Sequence, residues 1–226
     1  MKNGSRSLCC ILGITLAIQL SALGAFAAVL DFESLPGGGT PVEGMSISNQ
    51  FQASLGIRFA NSDGSFPIIV QTGPPGFGFT SAYTDDTPAP GEDPGSFMLN
   101  ISPAGPTSSL LANYILLQKD VGGVVLDIDG AEAWTIDALN SAHLVIDTLV
   151  LDTTTPQTGD ALATPWAFHH ASADIATVRF TFTGFQSDST GVAFDNFTFD
   201  AVPEPATVTL AALGLVTLAL TRRPRR

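Results

Sequence analysis

Between residues 28 and 201, apolar side chains recur at every second position in short runs, and no segment sustains a three-to-four spacing. A period of two sends alternate side chains to opposite faces of an extended chain, so these runs read as half-buried strands. In Ala176–Thr183, Val178, Phe180 and Phe182 share one face, and Arg179, Thr181 and Thr183 the other. Val29–Glu33 sets Leu30 and Phe32 against Asp31 and Glu33, and Val124–Asp129 sets Val124, Leu126 and Ile128 against Asp127 and Asp129. Gly56–Ala60, Phe66–Gln71 and Phe97–Ile101 are short apolar runs. Trp134–Leu139 and His143–Asp152 read as two strands joined at Asn140-Ser141-Ala142, and Val192–Phe199 ends the series. Gly, Pro, Asn and Asp separate the runs, as turns require. About 174 residues of such strands are enough for one sizeable core. They predict a single all-β domain, a jelly-roll-like β-sandwich. Thr72–Ser96 stands apart, with five prolines, five glycines and a short strand at Phe77–Thr80. It reads as a plain or disordered surface loop, with a ligand-contacting loop that stacks Phe77, Phe79 and Tyr83 as the alternative.

The ends follow another logic. Residues 1–27 carry Lys2 and Arg6, an apolar stretch Leu8–Leu20 and then Ala25-Phe26-Ala27. A charged start, an apolar centre and a small-x-small site make a secretory signal peptide, read by the Sec translocon and cut by signal peptidase. Cys9 and Cys10 are the only cysteines and leave with it, so the mature chain has neither disulfide nor thiol nucleophile. Residues 202–226 run Val202-Pro203-Glu204-Pro205, an apolar stretch Ala206–Thr221, and then Arg222, Arg223, Pro224, Arg225 and Arg226. Sixteen residues make about 24 Å of helix against about 30 Å of hydrocarbon, and the four arginines anchor the tail on the cytoplasmic side. A C-terminal transmembrane helix is expected there. The three parts together resemble the PEP-CTERM sorting signal. That resemblance implies processing by an exosortase in a Gram-negative bacterium that makes exopolysaccharide. The protein would pause in the inner membrane and pass to the cell surface or extracellular matrix.

Removing the ends changes the charge. The whole chain has a net charge of −12, but from Asp31 to Glu204 it holds all 21 acids against Arg58, Lys119 and Arg179, a net of −18. Such a body repels phosphate polymers, which excludes nucleic acid as a partner, and it attracts divalent cations.

Leu30-Asp31-Phe32-Glu33 and Val192-Ala193-Phe194-Asp195-Asn196-Phe197-Thr198-Phe199 are similar to the first and last strands of galactose-binding-like and carbohydrate-binding-module jelly rolls. The resemblance implies a carbohydrate ligand and a structural calcium where the two strands meet. The matching positions are Asp31 or Glu33, together with Asp195. Alternation also puts Asp195 on one face with Ala193, Phe197 and Phe199, where an acid needs a partner or a cation; the alternative is that Asp195 caps a turn or sits in a bulge.

The remaining motifs carry less. Asp127-Ile128-Asp129-Gly130 starts like an EF-hand loop but has Ala131 and Ala138 where ligands belong. His169 and His170 are adjacent and point to opposite faces of a strand, and His143 sits at a turn, so zinc spacing is missing. No Gly-x-Ser-x-Gly occurs. Trp134 and Trp166 read as core residues before sugar platforms. The expected role is that of a non-enzymatic surface or biofilm-matrix protein, structural, adhesive or carbohydrate-binding. An extracellular polysaccharide hydrolase with a carboxylate pair is the alternative.

Overall fold

A computed structural model describes residues 27–73, 79–80, 95–101, 108–128, 132–152, 154–155, 163–184 and 192–200. Twelve strands and a one-turn helix, Gln52–Leu55, make up the described chain. The larger sheet has β10 (Thr164–His169), β7 (Asp120–Leu126), β12 (Ala193–Asp200), β5 (Phe97–Asn100), β3 (Ile68–Gly73) and β4 (Phe79–Thr80) in that spatial order. Beside β5, β1 (Ala27–Leu30) also pairs with β12. The smaller sheet runs β2 (Ile57–Asn61), β6 (Ser109–Gln118), β11 (Ile175–Phe182), β8 (Ala133–Leu139) and β9 (Val145–Asp152). Pairing is antiparallel except between β3 and β4. Among the described residues no helix is long and apolar enough to cross a membrane; residues 1–26 of the expected signal peptide and the sorting segment lie outside them, whereas Ala27 opens β1.

The two sheets pack face to face as a β-sandwich. One buried cluster takes side chains from both, including Phe59, Trp134, Trp166, Phe180, Phe194 and Phe197. Rings carry much of this core. Phe197 lies 5.2 Å from Phe59 and 6.0 Å from each of Phe32, Trp166 and Phe180. Phe180 touches Phe194 at 4.9 Å and Trp166 at 5.0 Å, mostly in tilted or edge-to-face geometry that suits the ring quadrupole. Both tryptophans are therefore core residues, at 1% and 3% exposure.

The smaller sheet follows its alternation. Val178 and Phe180 of β11 enter the core, Phe182 packs against it, and Arg179 and Thr181 face outward. The larger sheet does not alternate simply. Val70, Met98, Val124, Leu126, Ala163 and Ala193 form a second buried cluster on its opposite face. The apolar runs in β3, β5 and β7 thus mark strands buried on both faces. One expectation needs correcting here: Val124 and Leu126 belong to this second cluster, whereas Ile128 enters the main core. Asp127 takes a left-handed conformation, φ 63°, and turns the chain over between them.

A β-bulge shifts β12 in the same way. Asp195 pairs with Val124 and Thr198 with Gly122, so Asn196 and Phe197 together oppose Gly123. Asn196 has φ 51°, a conformation that asparagine tolerates better than most residues. The extra residue sends Phe194, Phe197 and Phe199 to the same interior. Opposite the bulge, Gly123 pairs with Trp166. A Cβ there would sit 2.9 Å from the Asp195 carbonyl oxygen and 3.0 Å from the indole nitrogen of Trp166. Gly123→Ala is expected to cost about 2–3 kcal/mol as overpacking. Urea denaturation checks this, and an unchanged midpoint contradicts the packing described.

Candidate functional site

The terminal strands do lie together. β1 pairs with β12 from Ala27 opposite Asp200 to Leu30 opposite Phe197. Asp31 and Glu33 follow β1, with Phe32 buried between them at φ 54°. Asp31 is exposed, and its Oδ1 accepts the Glu33 amide at 3.2 Å. Glu33 turns toward the start of β5, where its Oε1 accepts the amides of Ser96 at 2.5 Å and Phe97 at 2.9 Å. Gly95, at φ 65°, leaves the space this carboxylate fills. Asp195 is fully buried and lies beside Val124 on the opposite face of the sheet from Phe194, Phe197 and Phe199. The alternation that placed it with Phe197 and Phe199 fails at the bulge.

The structure therefore does not gather Asp31, Glu33 and Asp195 into one metal-holding group. Among the described residues no group of three or more His, Cys, Asp or Glu side chains is placed to hold an ion. Glu33 instead works as a staple between the chain after β1 and the start of β5.

A second arrangement covers the outer face of the smaller sheet. Asp137 of β8 stands between Arg179 of β11 and Thr148 of β9. Its Oδ2 accepts the Arg179 Nη2 at 2.6 Å and Nε at 3.2 Å, and its Oδ1 accepts the Thr148 hydroxyl at 2.7 Å. In flanking rows, the Thr177 hydroxyl donates to Asn113 Oδ1 at 3.0 Å, the Ser109 and Thr181 hydroxyls lie 2.8 Å apart, and those of Thr135 and Thr183 3.3 Å apart. Arg58 is exposed at the end of the row holding Asn113 and Thr177. Directly paired residues share a face, so polar residues of neighbouring strands fall side by side, although Leu111 and Ala60 continue the Arg179 row and Val150 the Thr135 row. The sequence marks these residues as outward, but only the strand order brings them side by side.

The histidines serve as structural partners. His169 Nδ1 lies 3.0 Å from Asp120 Oδ1, and His170 Nδ1 2.7 Å from Asp174 Oδ1. His143, exposed at φ 59°, closes the β8–β9 turn, with its amide donating to the Asn140 carbonyl at 2.9 Å. The Thr154 hydroxyl and then its amide donate to Asp152, which lowers this carboxylate's pKa. That contribution is present above the ordinary carboxylate range and lost as pH falls through the lowered value. Burial alone pushes the Tyr114 phenol up, above its ordinary value. Asp129, Gly130, Phe77 and Tyr83 lie outside the described residues, as do Val202, Pro203, Glu204, Pro205 and the four tail arginines, and only the backbone of Phe79 is described.

Glu33→Ala is expected to lose about 1–3 kcal/mol in chemical denaturation, because the exposed Ser96 amide and the half-buried Phe97 amide both lose a charged acceptor. The loss should be equal with calcium and with EDTA. A loss confined to calcium-containing buffer would make the carboxylate an ion ligand.

The PEP-CTERM protein-sorting motif matches residues 201–226. No curated protein matches the chain. Among solved structures it is similar to the K2 cleaved adhesin domain of Lys-gingipain, at 13% identity and TM-score 0.38, over 79% of this chain and all of that domain. It is also similar to the enzymatically active domain of tailspike protein 4 of bacteriophage CBA120, at 13% identity and TM-score 0.34, over 69% of this chain. A third likeness is to the CBM22-1 and GH10 modules of endo-1,4-beta-D-xylanase 10B of Clostridium thermocellum, complexed with xylohexaose, at 14% identity and TM-score 0.34, over 73% of this chain. The chain spans 20% of the tailspike chain and 29% of the xylanase chain.

Proposed function

We propose that the body is a non-catalytic structural or adhesive domain, a jelly-roll-like sandwich of the cell surface or biofilm matrix that holds neutral polysaccharide. The PEP-CTERM motif implies an exported, surface-sorted protein with an exosortase as its processing partner. The observation that supports polysaccharide binding is the polar ladder on the outer face of the smaller sheet. Five strands at about 4.8 Å spacing make a strip about 20 Å wide. Its hydroxyl, amide and guanidinium groups donate and accept as sugar hydroxyls do. The net charge of −18 between Asp31 and Glu204 favours a neutral polymer over an acidic one, unless calcium bridges the two.

Asp137, Asp120, Asp174 and Glu33 each hold a structural donor, which fits a scaffold better than a hydrolase. The test is a glycan array probed with the mature chain, with and without calcium. A neutral polysaccharide is expected to bind, and Arg58→Ala to weaken it about 5–10-fold, the size of one ordinary hydrogen bond lost at an exposed position. No glycan bound in either condition contradicts the proposal. New reducing ends released from a bound polymer would replace it with the hydrolase reading.

A further inference from the structure

We infer that, while the protein is anchored, the pole of the sandwich where the chain leaves β12 rests on the lipid surface through two aliphatic knobs, Ile115–Leu117 and Leu144–Ile146. The inference rests on the membrane-anchored processing that the sorting motif implies, and not on the glycan reading.

Several turns close around Asp200, the last residue of β12. Its amide donates to Gln118 Oε1 at 2.8 Å, and its Oδ2 accepts the Lys119 amide at 3.1 Å. The His170 amide donates to the Lys119 carbonyl at 3.0 Å, and the Asp174 amide to the Gln118 carbonyl at 3.1 Å. His170 Nε2 reaches Asp147 Oδ2, near the start of β9, at 3.5 Å. The β6–β7, β8–β9 and β10–β11 turns thus share the pole with the chain's exit.

Ten large hydrophobic residues are exposed among those described, and six of them sit at this pole. Ile115, Leu116 and Leu117 are 53%, 48% and 44% exposed, and Leu144, Val145 and Ile146 are 63%, 48% and 36%. The first knob is built, not frayed. Thr177 pairs with Asn113 and Ile175 with Gln118, so Tyr114–Leu117 oppose Ala176 alone. Tyr114 turns inward against Phe199 at 5.6 Å. The Ile115 amide donates to the Gly56 carbonyl and the Gln118 side-chain amide to the Leu116 carbonyl, both at 2.8 Å. These bonds hold three aliphatic side chains in solvent, which a free protein has no reason to do.

The tether names the occupant. Five residues separate Asp200 from the apolar run that begins at Ala206. They span at most about 20 Å, whereas a body of this length is about 40 Å across. A tether shorter than the body keeps the exit pole turned to the bilayer. Effective concentration then lets two modest knobs engage lipid that they would not hold alone. Asp120, Asp147, Asp174 and Asp200 surround the pole beside Lys119, His169 and His170, so the surface it fits is zwitterionic.

The mature chain lacks cysteine, so single labelling sites can be introduced at will. Full-length mature protein is reconstituted in phosphatidylcholine vesicles containing a doxyl-quencher lipid. An environment-sensitive label is placed through Leu116→Cys, Leu144→Cys, Phe66→Cys or Ala211→Cys. Phe66 is an exposed apolar residue near the opposite pole, 46% accessible, and Ala211 lies in the apolar run. Labels at 116 and 144 are expected to be quenched at least threefold more than the label at 66, and less so when a fifth of the lipid is phosphatidylglycerol. Equal quenching at 116, 144 and 66, with strong quenching at 211, overturns the inference alone. No quenching at 211 overturns the anchoring as well. A blue shift at 116 that grows with protein concentration and escapes the lipid quencher gives the pole to a second copy and overturns the proposal too.

Discussion

Asn196 stands in a left-handed conformation in the middle of the strand that most of the larger sheet depends on. β12 is flanked by β7 along one side and by β5 and β1 along the other. Without the extra residue, Phe194 would point away from Phe197 and Phe199. With it, all three enter the sandwich, and Phe197 makes ring contacts with Phe32, Phe59, Trp166 and Phe180. The same bulge places Gly123 under the Trp166 indole and turns Asp195 to the other face. One backbone conformation thus fixes the aromatic core, the seam with β1 and the place where the chain leaves the body.

Much of the smaller sheet is legible from alternation, because its outer face is polar. β11 shows this, with Val178 and Phe180 inside and Arg179 and Thr181 outside. The larger sheet is less legible because both its faces are covered. Val124 and Val125 are both buried, in different clusters, and a run of two apolar neighbours cannot say which is which. Asp127 and Asn196 hide further phase changes, since nothing in a period of two marks a left-handed residue. The acid placed with Phe197 and Phe199 is an instance. The pairing of first and last strands was open to resemblance, but the employment of Glu33 at the amides of Ser96 and Phe97 depends on a contact 63 residues away. The aliphatic knob at Ile115–Leu117 is also invisible in sequence, where it continues an apolar strand.

The division of charge and the fold support one picture. The four arginines of the tail lie in the sorting motif, and the stretch from Asp31 to Glu204 carries a net of −18. Pairing of β1 with β12 holds both ends of that body at one pole, with Ala28 opposite Phe199. Aliphatic residues gather where the chain leaves, and a polar ladder covers one broad sheet face. An anchored pole and a laterally exposed polar face suit a protein held at a membrane before release to the surface.

The phase of β12 is tested most directly by comparing thermal unfolding of the chain lacking Asn196 with that of the chain lacking Thr198. Removing Asn196 leaves Phe194, Phe197 and Phe199 in simple alternation, so a cooperative melt should survive. Removing Thr198 turns Phe199 out of the core, and cooperativity should be lost. Loss of the cooperative melt in the chain lacking Asn196, with its retention in the chain lacking Thr198, would contradict the account.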